Sequence, residues 1–91
     1  MNYTTRHTVG VEGKIYEVIS ISKFPAGYGH NEIRCTFVNP DNNENVNYMV
    51  KTNNTILTDR MTSDDEMVEQ EARTEAAQMV IESWLQNSSN N

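Results

Sequence analysis

The sequence predicts an α+β fold, an antiparallel sheet of three to four strands with one long C-terminal helix packed across one face. Three observations carry that prediction. Glu32 to Asn39 alternate apolar and polar side chains with a period of two. Val46 to Lys51 do the same after a turn rich in Asn, Pro and Asp. Ser63 to Gln86 contain no Gly or Pro, and their apolar residues recur at three- and four-residue steps. Strands followed by a helix give a sheet with one face that the helix can close. The chain has 91 residues, 36% of them hydrophobic, and reads as a single domain over residues 1–86 with a disordered tail of Asn and Ser over 87–91. So small a core leaves little stability to spare, which places weight on the fit of sheet to helix or on a partner chain.

Met1 to Thr8 is polar with weak alternation, and the sequence leaves open whether it is a first strand or a loose arm. Val9 to Gly13 reads as a turn, because Gly10 and Gly13 permit positive φ. Lys14 to Phe24 is a strand of β-branched and aromatic residues. Strict alternation there puts Ile15, Ile19 and Ile21 on one face with Glu17, and Tyr16 with Val18 on the other. Pro25 to His30 ends it, since Pro25 cannot donate to a ladder and Gly27 and Gly29 set Tyr28 on a loop. Ile33, Cys35 and Phe37 on one strand and Val46, Tyr48 and Val50 on the next form the inward faces of a hairpin. Thr52 to Thr62, with Ile56 and Leu57, is either a short edge strand or a half-turn.

The long helix opens with Ser63-Asp64-Asp65-Glu66, which matches a capping box between Ser63 and Glu66. Val68, Ala72, Ala76, Met79, Val80 and Trp84 fall within about 160° of arc, the width of a core-facing stripe. Ala77, Ile81 and Leu85 lie outside it. One reading has Ile81 and Leu85 cap the core under the N-terminal arm or around Ile56 and Leu57. The other makes Ala77, Ile81, Trp84 and Leu85 a homodimer seam.

Formal net charge is −6, and all of it sits on the helix: residues 1–60 hold six cationic and six acidic side chains, whereas Asp64, Asp65, Glu66, Glu69, Glu71, Glu75 and Glu82 face only Arg73. A field of that sign repels phosphate backbones and attracts basic surfaces, which weighs against direct nucleic-acid binding. Glu69 and Arg73 form a favourable i,i+4 pair, but Glu71 and Glu75 repel at the same spacing, an arrangement that favours use of the carboxylates over a purely structural role. These seven acidic residues, with Tyr28 as an exposed aromatic anchor, are the candidate partner-binding set.

No catalytic residue is expected. A thiol nucleophile would need Cys35 beside a base, but the alternation points Cys35 inward and away from His7 and His30. There is no CxxC, HxxxH or HExxH spacing for a metal, and Gly27-Tyr28-Gly29 is too short to cradle a phosphate, so no metal or cofactor is expected either. The lone cysteine fits a reducing compartment, and no apolar run approaches the roughly 18 residues of a membrane span. The expected setting is cytoplasmic.

Tyr16-Glu17-Val18, the Pro25-to-His30 turn and Glu75-Ala76-Ala77, in an order of hairpin strands followed by an Ala-containing last helix, resemble the strand and last-helix part of a double-stranded RNA-binding domain over about two-thirds of the chain. That family binds through lysines at the start of its last helix, where this chain has Asp64, Asp65 and Glu66, and its first helix has no counterpart here. The resemblance therefore implies layer architecture and not RNA binding. In size and acidity the chain is similar to small phage and mobile-element inhibitors of host defence, including anti-CRISPR proteins. The expected function is non-enzymatic protein binding, in which the acidic helix docks on a basic protein surface of the kind that holds nucleic acid. The alternative is a structural homodimer or assembly module built through the apolar C-terminal half of the helix.

Overall fold

A computed structural model of the chain describes residues 7–89. Four strands, β1 (His7–Val11), β2 (Lys14–Gly27), β3 (His30–Val38) and β4 (Asn45–Thr52), form an antiparallel meander in the order β1-β2-β3-β4. A short helix α1 (Thr55–Arg60) and a long helix α2 (Glu66–Ser89) follow, and α2 lies across one face of the sheet. The α+β architecture is the one expected.

The β3–β4 hairpin follows the alternation of its sequence. Its register runs unbroken from Asn31 opposite Thr52 to Val38 opposite Asn45. Ile33, Cys35 and Phe37 are buried, while Val46, Tyr48 and Val50 are half-buried against the same core. The connecting turn is closed by Asn39, whose N–H donates to the Glu44 carbonyl and whose side-chain oxygen accepts from the Asp41 N–H.

The first two strands depart from expectation in three ways. Val9 and Val11 belong to β1 and to the core, and the turn is only Glu12 and Gly13, both at positive φ, as a two-residue hairpin of this twist requires. Gly10 is a strand residue, not a breaker. Second, strict alternation fails in β2 because the register with β3 shifts between Val18 and Ser20, leaving Ile19 as a bulge. One extra residue reverses the facing of everything beyond it, so Tyr16, Val18 and Ile21 share the buried face and Ile15 is left exposed. Third, β2 does not stop at Pro25, which pairs with Asn31 beside a second register shift, the position in a sheet where a residue without an N–H is tolerated. Met1 to Arg6, the greater part of the segment left open as strand or arm, lie outside the described residues.

The segment from Thr52 to Thr62 resolves into α1, with the Asn54 side chain accepting from the Leu57 N–H at 3.0 Å. Leu57, Thr58 and Met61 are buried. The Thr58 hydroxyl donates back to its own helix and accepts from Asn31 of β3 at 3.4 Å.

Along α2 the buried residues are Ala72, Ala76, Ala77, Val80 and Ile81, so the core-facing stripe is rotated from the expected one toward Ala77 and Ile81, with Met79 at its margin. The cause is that β1 and α1 give α2 neighbours besides the inner strands. Trp84 packs edge-on against Phe37 and Tyr16, with ring centroids 5.2 and 6.5 Å away. The helix continues through Asn87 and Ser88 to Ser89, beyond the expected end at Gln86, and Asn87 donates to the Tyr48 hydroxyl. Asn90 and Asn91 lie outside the described residues.

Candidate functional site

The start of α2 is built differently from the expected capping box. Asp65 is the cap: its carboxylate accepts from the N–H groups of Met67 and Val68, at 3.0 and 3.4 Å, and its carbonyl takes the Glu69 N–H. The Ser63 hydroxyl oxygen accepts from the Asp65 N–H at 3.1 Å and so orients the cap. A carboxylate satisfies two orphan donors and complements the positive helix end. Of the expected acidic set, Asp65 therefore has a structural task.

Three more of that set are held by cations. Arg60, at the end of α1, reaches Glu75 at 2.8 Å and Glu71 at 3.5 Å. The repulsion between Glu71 and Glu75, taken from the sequence as a sign of function, is thus relieved within the fold. Glu69 accepts from Arg73 at 3.1 Å, and Arg73 also donates to the Ile21 carbonyl of β2 at 2.7 Å, tying the first half of α2 to the sheet. Asp64, Glu66 and Glu82 have no ion pair among the described residues. Glu82 stands roughly 24 Å along the helix from Glu66 and is not part of one site with it.

Tyr28 is completely exposed at the tip of the β2–β3 hairpin, where Gly27, Tyr28 and Gly29 all have positive φ. That conformation suits Asn or Gly and is uncommon for a bulky residue. The foot of this turn adjoins α1, which in turn reaches α2. His30 at the foot of the turn contacts Asn53, Asn31 contacts Thr58 of α1, and Arg60 of α1 reaches α2. Ile56 on α1 and Met67 on α2 are 73% and 74% exposed. A broad cleft of about 930 Å³ separates Ser20 and Ile21 of β2 from the first turns of α2 and is lined by Asp64, Glu66 and Met67. Met67 lies outside the expected partner-binding set, and its one signal in the sequence is an apolar residue on the side of the helix away from the stripe.

The expected seam does not exist as a surface. Ala77 and Ile81 are fully buried in the chain's own core, and Trp84 and Leu85 are half-buried against it. Covering them is the work of the sheet and α1, which leaves no apolar stripe for a second helix.

Cys35 faces the core as expected, and burial pushes its thiol up to about 12, far from a nucleophile's range. Among the described residues, no group of three or more His, Cys, Asp and Glu is placed to hold a metal ion, and no helix is long and apolar enough to cross a membrane. Compared with family models, with characterised proteins and with solved structures, the chain matches none of them significantly.

Proposed function

We propose that the protein is a non-enzymatic binding module that docks on a basic protein surface through the exposed Tyr28, Ile56 and Met67, with Asp64 and Glu66 as the contributing carboxylates. One observation supports this reading above the others: three large apolar side chains, on the β2–β3 turn, on α1 and on the first turn of α2, stand exposed, and Asp64 and Glu66 beside Met67 have no ion pair among the described residues. Apolar anchors supply binding energy by desolvation, and unpaired carboxylates add steering and selectivity for a cationic partner. A basic surface of this kind belongs to a protein that holds nucleic acid, whose site the module would block, as small acidic inhibitors of host defence do. The rest of the acidic helix contributes only to the long-range field.

The test is capture from a lysate of the cell in which the protein acts, with mass spectrometry to identify what is retained. Tyr28→Ala or Met67→Ala should each weaken capture by tenfold or so, and Glu66→Lys should weaken it most at low salt. Glu82→Lys, at the far end, should leave it unchanged. Capture that withstands both Glu66→Lys and raised salt would remove the proposal.

A further inference from the structure

We infer that the free edge of β4 is a self-association surface, pairing antiparallel with β4 of a second copy so that two sheets become one. Among the described residues nothing pairs with that edge, because β4 ends the strand order and bonds only to β3. Edge strands in soluble proteins are usually blunted by a bulge, a proline, short length or charges. β4 runs for 8 residues with no proline and no register shift, and Lys51 is its only charge.

Two observations select a second copy as the occupant. The first is packing: Val46, Tyr48 and Val50 face the core but remain half-buried, while Ile33, Cys35 and Phe37 beside them on β3 are at most 2% exposed. An added strand carrying the same inward residues would complete that burial. The second is symmetry. Around a two-fold axis through Tyr48, Val46 falls opposite Val50 and Tyr48 opposite its own copy, so the inward row of β4 meets the same row on the partner strand, while Lys51 falls opposite the neutral Asn45 on the outer face. Because odd positions meet odd positions in this register, both copies of α2 stay on the same face of the joined sheet. Tyr28, Ile56 and Met67 take no part in this pairing, so either reading can fail without the other.

Sedimentation of the full chain from low to high micromolar concentration should show a reversible dimer. Asn45 decides the register, since it sits opposite Lys51 across the axis and opposite the neutral Val38 within its own sheet. Asn45→Glu should tighten the dimer and Asn45→Lys should weaken it, each by severalfold to tenfold, with far-ultraviolet circular dichroism confirming the fold. A chain that stays monomeric throughout, or a dimer that shifts in the same direction or not at all with the two substitutions, would overturn the inference.

Discussion

The two ends of α2 are held to the same sheet by different physics. Toward its C-terminus the helix is fixed by apolar packing: Val80 and Ile81 are fully buried, and Trp84 stacks edge-on with Phe37 and Tyr16. Toward its N-terminus, past the small contacts of Ala72 and Ala76, single polar devices take over: the Asp65 cap closes the first turn, the Arg73 bond to the Ile21 carbonyl ties the helix to the sheet, and Arg60 spanning Glu71 and Glu75 ties it to α1. Packing excludes water and resists both salt and substitution at the surface, whereas exposed ion pairs contribute little and are screened. A helix built this way can expose Met67, Asp64 and Glu66 at its polar end without loosening the core.

The largest expected effect comes from the packed end. Ile81→Ala should cost about 2–5 kcal/mol, because it leaves a cavity under the helix that its neighbours fill only partly. A urea titration measures this, and the change should be the same at every protein concentration. A loss that grew with dilution would mean that Ile81 works between copies, and the contrast between the ends would have to be redrawn.

The same end should also show itself in alkali. Burial raises the Cys35 thiol from 9.0 to about 12 and raises the Tyr16 phenol from 10.0, so both groups hold their protons in the folded state after the unfolded chain has lost them. Stability from the neutral thiol is therefore complete below pH 9 and falls as pH rises toward 12, at up to about 1.4 kcal/mol per pH unit. Denaturant midpoints taken from neutral pH to about pH 11 should fall in the native chain and fall less in Cys35→Ala. Equal slopes in the two chains would mean that Cys35 is not sealed in the core.

The difference between the ends also explains what could be read from the sequence. β3 and β4 were legible because no bulge intervenes, so a period of two in the residues remains a period of two in space. β2 was not, since Ile19 carries no chemical mark of being a bulge and only the register with β3 reveals it. Gly10 misled for a related reason: within β1 it keeps a strand conformation that any residue adopts, and only Gly13 uses the freedom that makes glycine a turn signal. The helix stripe was placed to one side of its true centre, because the cover given by β1 and α1 is tertiary. The candidate site shows the same division. Tyr28 was legible as an aromatic between two glycines, but the pairing of Arg60 with Glu71 and Glu75 depends on where α1 sits, which no local pattern encodes.

That pairing gives the smallest expected effect and the closest test of the polar end. Arg60 is about one-third exposed and its partners more so, which places the stabilisation near 0.5–1 kcal/mol at low salt and near zero at high salt. Arg60→Gln should lower stability by that amount, since Glu71 and Glu75 would then repel with nothing between them. Adding Glu75→Gln to Arg60→Gln should recover most of the loss, because one carboxylate alone has nothing to repel it at that spacing. If the double substitution is instead as unstable as the single one, Arg60 holds α1 against α2 by packing of its aliphatic stem. The polar end would then depend on buried surface as the other end does, and the carboxylates around it would be free for a partner after all.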